Sequence, residues 1–92
     1  MKYIMYWSII PENLSAAISK LGQIVPDESG KYPKKLSESY SLGGELNGFR
    51  LVDATEEQLQ NLMVETIPEV QFNYVPIFEF PKVAKAYKKA NK

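Results

Sequence analysis

An α+β fold is what this sequence predicts: strands and helices in the order β-α-β-β-α-β, with a short helix at the C-terminus. Three observations carry that expectation. Residues 2–9, KYIMYWSI, are dense in aromatic and β-branched types, which is a strand signal. Residues 35–42 and 48–53 alternate with period two on either side of GGELNG, which predicts two strands joined by a tight turn. Thr55-Glu56-Glu57-Gln58 places a glutamine three residues after a threonine, the pattern of an N-terminal capping box.

The elements follow in order. In the first strand Tyr3, Met5, Trp7 and Ile9 take one face and Ile4, Tyr6 and Ser8 the other. Both sets are largely apolar, so the strand is expected at the centre of a sheet and covered on both sides. Pro11 suits the first position of a helix, and Leu14, Ala17, Ile18 and Leu21 then form one apolar face that stops at Gly22. Residues 23–33 carry Pro26, Gly30 and Pro33 and read as a loop. The second strand, 35–42, sets Leu36, Glu38, Tyr40 and Leu42 against Ser37, Ser39 and Ser41. In the third, 48–53, Phe49 and Leu51 oppose Arg50 and Val52. Leu59, Leu62 and Met63 supply the stripe of the second helix, which Pro68 ends. The fourth strand, 70–80, presents Val70, Phe72, Tyr74, Phe78 and Phe80 on one face, and Pro76 within it belongs at an edge, because proline donates nothing to a ladder. Pro81 then opens a short lysine-rich helix.

This order is the ferredoxin-like, split βαβ plan, with an antiparallel sheet in the order 4-1-3-2 and both main helices on one face. The other face, carrying part of the first strand with Val52, Val75 and Ile77, is left bare. An apolar face of that kind calls for a cover, and the same face of a second subunit about a two-fold axis is the simplest one. The expected assembly is therefore a homodimer in the dimeric α+β barrel arrangement, the alternative being a monomer whose C-terminal helix folds back over the sheet. Residues 1–80 form the domain and 81–92 a lysine-rich helix or tail.

Composition excludes several chemistries. The chain has 92 residues, no cysteine and no histidine. Thiol catalysis, disulfides and thiolate metal sites are excluded, and so are histidine bases and histidine ligands. The acids are dispersed and no run resembles a calcium loop, so no metal and no cofactor is expected. The formal net charge is zero, although six basic and eleven acidic residues precede Pro81 and the five lysines from Lys82 to Lys92 restore the balance. No apolar run is long enough to span a bilayer. The opening MKYIMYWSII carries two tyrosines and a tryptophan with no small-residue cleavage site after it, so a cytoplasmic location is the expectation and no membrane partner is implied.

At this point the residues resemble a known family. YIMYWSIIPEN, SYSLGGELNGFRLVDA and the proline-bearing strand around VPIFEF are similar to the small proteins of domain-of-unknown-function family 3303. The resemblance covers residues 1 to about 80. It implies a dimeric α+β barrel fold and no established reaction. Members of that family often carry a histidine after the aromatic residue of the second strand, where Ser41 stands here.

Candidate sites are few. GGELNG lacks both the dinucleotide pattern and the lysine of a P-loop, no helix follows it, and Glu45 would repel a phosphate, so its glycines belong to a turn. Arg50, the one arginine, shares a face with Val52. Its ordinary role would be to pair with Glu38, Glu79 or Asp53 or to lie along the sheet. The functional alternative is that it points into the barrel beside Tyr6, Ser8, Ser39, Ser41 and Asn73, where it would bind a carboxylate or phosphate bidentately. Trp7, Tyr40 and Tyr74 would line a pocket for a planar ligand, and each also has a bland role as core or interface. The candidate ligand-binding set is Trp7, Tyr40, Ser41, Arg50 and Asn73. Two functions follow: a non-enzymatic dimer that binds a small organic molecule or a protein partner, or a cofactor-independent oxygenase or isomerase acting on a small aromatic or carbonyl compound. Nucleic-acid binding by the lysine tail is a weaker third, since the tail has no arginine and only Tyr87 as an aromatic.

Overall fold

Eight residues at the N-terminus, Lys2–Ile9, form strand β1, and a single 3₁₀ turn at Pro11–Asn13 leads into helix α1 (Leu14–Ile24). Two short strands follow, β2 (Lys34–Lys35) and β3 (Tyr40–Ser41), then β4 (Asn47–Asp53), α2 (Glu56–Thr66), β5 (Val70–Pro76) and α3 (Phe80–Ala90). The computed structural model describes residues 1–91, and Lys92, the last lysine of the tail, lies outside the described residues. The fold is a mixed α+β one, built on a five-stranded antiparallel sheet in the order β2-β4-β1-β5 with β3 also attached to β4.

That order differs in detail from the expected 4-1-3-2, because the second strand is divided in two. The cause is a serine. Leu36 still donates its amide to the Leu51 carbonyl at 2.8 Å, but the Leu51 amide donates to the Ser37 hydroxyl at 2.9 Å instead of to a backbone carbonyl. A side-chain acceptor has displaced a rung of the ladder, so residues 36–39 leave the sheet and pairing resumes at Tyr40.

β1 is central, as its composition requires, and its register decides every face. Met5 lies opposite Arg50 on one side and Tyr74 on the other, and Trp7 lies opposite Gly48 and Phe72. Met5 and Val52 pack against Leu62 of α2, and Ile9 and Val70 against Ala17 of α1. Both helices therefore cover the face that carries Tyr3, Met5, Trp7, Ile9, Arg50 and Val52. Val52, expected on the bare face, is 2% exposed in this core, and Ile77 lies beyond the end of β5. The uncovered face instead holds Ile4, Tyr6, Phe49, Leu51, Asn73 and Val75. Within one chain β1 is therefore covered by helices on one side only.

Other boundaries shift for local reasons. α1 runs past Gly22 to Ile24, and its buried side follows Leu14, Ala17, Leu21 and Ile24, leaving Ile18 61% exposed. In α2 the capping box forms in full: the Gln58 amide donates to Thr55 Oγ1 at 3.2 Å and the Thr55 amide to Gln58 Oε1 at 3.0 Å. The buried third position of that helix is Thr66, not Met63, with the Thr66 hydroxyl donating to the Leu62 carbonyl at 2.7 Å. β5 stops at Pro76 on the sheet edge, so Phe78 and Phe80 leave the strand and are exposed.

The turn glycines have separate tasks. Gly43 and Gly44 take φ of 63° and 78°, the left-handed region that side chains avoid. Gly48 needs no special dihedral. It needs emptiness, because a Cβ there would collide with the Tyr40 carbonyl oxygen and come within 2.6 Å of the Trp7 ring. Gly48→Ala is therefore expected to destabilise the protein by about 2–3 kcal/mol, against about 1 kcal/mol for Gly44→Ala, as read from urea unfolding midpoints.

Candidate functional site

Loop 25–33 follows α1 and is held against α2 by side chains. Gln58, already engaged in the capping box, donates through Nε2 to the Gly30 carbonyl at 2.9 Å, and Asn61 donates to the Lys31 carbonyl at 2.9 Å. Within the loop the Ser29 amide donates to Asp27 Oδ1 at 2.8 Å. The loop forms one wall of a cleft of about 1050 Å³ between the helices and the covered face of the sheet. Met5, Val52, Leu62 and Phe72 give it an apolar floor, and Lys34, Lys35, Asp27 and Glu28 stand among its lining.

Arg50 opens into this cleft from the middle of β4. Its Nε is buried and has no hydrogen-bond partner, and no carboxylate forms an ion pair with it among the described residues. A buried polar group left unsatisfied costs about 1–3 kcal/mol, and such groups in folded proteins usually meet an ordered water, an ion or a ligand. The guanidinium is the cation suited to a carboxylate or phosphate, which it meets through two parallel hydrogen bonds. Asp27 is the acid whose state in the cleft is defined: hydrogen bonds from Ser29, side chain before backbone, hold its carboxyl below the usual range. It is thus a poor acceptor for a substrate proton.

The other sequence-predicted site residues are not gathered here. Trp7 lies on the same side of the sheet as Arg50 but over Gly48, and its indole N–H donates to the Ser39 hydroxyl at 2.7 Å. Ser41 lies opposite Gly48 and donates its hydroxyl to the Glu45 carbonyl at 2.7 Å, closing the turn. Tyr40 and Asn73 lie on the uncovered face, opposite Phe49 and Tyr6 respectively. The register therefore divides the five between two faces, with Trp7, Ser41 and Arg50 on one and Tyr40 and Asn73 on the other. What sequence reasoning missed is the cleft's floor and wall, chiefly Phe72 and loop 25–33. Pro26, Gly30 and Pro33 were the available signal, since they exclude regular structure from a long connection.

A second consequence of burial sits beside the floor. Tyr74 stacks on Phe72 with ring centroids 6.0 Å apart and donates its hydroxyl to the Leu59 carbonyl at 3.3 Å. Burial pushes its pKa from 10.0 up to about 12.

Among the described residues no group of acids is placed to hold a metal ion, and no helix is long and apolar enough to cross a membrane. A scan against protein-family models finds no match, and a search among curated proteins finds no relative.

Two outcomes follow from these environments. Arg50→Met, which removes the unsatisfied group from an apolar cleft, is expected to raise stability by about 1 kcal/mol in urea unfolding of the ligand-free protein. For Tyr74 the fold holds the proton more tightly than the unfolded chain does, so its contribution is complete below pH 10.0 and is lost as pH rises toward about 12. Near-ultraviolet absorbance should accordingly show one late-titrating tyrosinate, absent in Tyr74→Phe, and the base-induced loss of stability above pH 10.0 should be smaller in that variant.

Proposed function

We propose that the protein binds a small organic anion, without transforming it, in the cleft beneath α1 and α2, and that it does so as a two-fold dimer. The observation that carries the binding proposal is the buried Arg50 Nε, which has no partner among the described residues and lies in a cleft with an apolar floor. The ligand class follows from the lining. An aromatic or aliphatic body fits against Met5, Leu62 and Phe72, and its carboxylate or phosphate meets Arg50. A non-catalytic role is favoured over the oxygenase or isomerase alternative because Trp7, Tyr40, Arg50 and Asn73 divide between two faces of one subunit.

The finer fold assignment belongs to the same proposal. With β2 and β3 taken as one interrupted strand, the chain follows the ferredoxin-like βαββαβ plan, in keeping with its resemblance to family 3303. The dimeric α+β barrel arrangement is supported by the uncovered sheet face. There Tyr6, Phe49 and Tyr40 form an aromatic row across three strands, with centroid separations of 6.5 and 5.6 Å. Such a row in water is an interface without a partner.

Titration calorimetry with naphthalene-carboxylate and its uncharged amide tests the binding proposal. The acid is expected to bind at least about tenfold more tightly than the amide, the scale of one charge-assisted pair, and Arg50→Met should erase the difference. Discrimination that survives in Arg50→Met, or no measurable binding of either compound, would sink it. Sedimentation showing only monomer at micromolar concentration would remove the dimer.

A further inference from the structure

Helix α3 carries an apolar stripe with nothing against it. Phe80, Val83 and Tyr87 follow one another at helical spacing, and Phe80 and Tyr87 are 75% and 68% exposed. Phe78, just ahead of the helix, is exposed as well. A helix of 11 residues is marginal on its own in water, so the stripe needs a surface. Among the described residues its own subunit meets it along its first two turns. Glu79 pairs with Lys2 and with Lys82, and Val83 and Ala86 border a shallow groove with Met1 and Asp53. Beyond that the helix projects. The long axis of the molecule reaches 55 Å, and the radius of gyration of 15.6 Å exceeds the roughly 12 Å of a compact chain this long.

Charge narrows the choice of surface. Six basic and eleven acidic residues precede Pro81, whereas every charged residue after it is lysine. Lys85, Lys88 and Lys89 form no ion pair among the described residues. The complementary patch is the interrupted edge at residues 36–45. Leu36, Tyr40 and Leu42 are exposed there, Glu38 and Glu45 accompany them, and the stretch contains no lysine or arginine. Within one chain the two surfaces lie apart. Leu42 and Tyr40 lie against Asn47 and Phe49 at the start of β4, whereas α3 leaves beside Asp53 at its end.

We propose that α3 is an exchanged arm, whose Phe80–Val83–Tyr87 stripe docks on the Leu36–Tyr40–Leu42 edge of a second copy of this chain, with Lys85, Lys88 and Lys89 facing Glu38 and Glu45. The proposal rests on the dimer reading above and adds to it where the partner is held. Two-fold symmetry makes the exchange reciprocal, so both arms and both edges are covered and no open end remains. A basic amphipathic helix is also a shape that lies on anionic lipid. Here the acidic body opposes that docking, and the same acidity attracts the arm of another copy.

The absence of cysteine makes the test direct. Leu42→Cys protein and size-tagged Tyr87→Cys protein, mixed and mildly oxidised, are expected to form the mixed disulfide. Sedimentation should show Lys85→Glu/Lys88→Glu weakening the dimer at least tenfold, and adding Glu38→Lys/Glu45→Lys should restore it. A dimer whose dissociation constant ignores the charge reversal and that gives no mixed disulfide overturns the arm and leaves the dimer standing. A monomer under all conditions overturns both. Retention of that monomer on phosphatidylserine vesicles, lost on deleting residues 80–92, would assign the helix to a lipid surface instead.

Discussion

The pairing register of β1 is the constraint on which the rest of this structure depends. Side chains alternate along a strand, so a slip of one residue against β4 would exchange the covered and uncovered sets completely. Trp7 pins the register. Its ring lies over Gly48, the position on β4 where a side chain would collide, and its indole N–H reaches across to Ser39. One large residue opposite one absent side chain thus fixes the face of Met5, Arg50 and Val52 together.

From that register comes the cleft. Arg50 is placed under the helices, on the face that carries Met5 and Val52. Among the described residues no carboxylate forms an ion pair with it, although Asp27 and Glu28 stand elsewhere in the lining. The wall opposite is the work of Gln58 and Asn61, which hold loop 25–33 through its backbone carbonyls. Gln58 therefore serves two ends at once, the start of α2 and the wall of the cleft. Serine has a parallel double role along the interrupted edge. Ser37 takes a ladder hydrogen bond and Ser39 takes the indole, and between them they turn a strand into two.

A domain of this size has little apolar surface to spare, and the distribution of what it has is uneven. The covered core is small, comprising Met5, Ile9, Ala17, Val52, Ala54, Leu59, Leu62 and Val70. Large side chains remain uncovered on the far face of the sheet, along the 36–42 edge and along α3. The lysines of α3 and the acids of the body divide the charge in the same way. These exposed apolar and charged surfaces do not meet within one chain, and a second copy is the partner proposed for them.

Local chemistry was legible in the amino-acid order. The capping box at Thr55 and Gln58, the positive-φ turn at Gly43 and Gly44, the edge position of Pro76 and the central position of β1 each follow from a few neighbouring residues, because each is a matter of backbone hydrogen bonds or allowed dihedrals. The alternation of Arg50 with Phe49 was legible for the same reason. Which of its two faces the helices cover was not, since that depends on how β1, β4 and β5 align and on where two crossovers lie, and period two is symmetric between the faces. Tyr6, Ser8 and Asn73 are expected beside Arg50 on that symmetric evidence, and the register places them on the other face. The sequence by itself determined the elements and the chemistry available to them. Only the tertiary structure decided that Arg50 opens into a cleft with an apolar floor and meets no counter-charge among the described residues, because burial and charge pairing belong to neighbours distant in the chain.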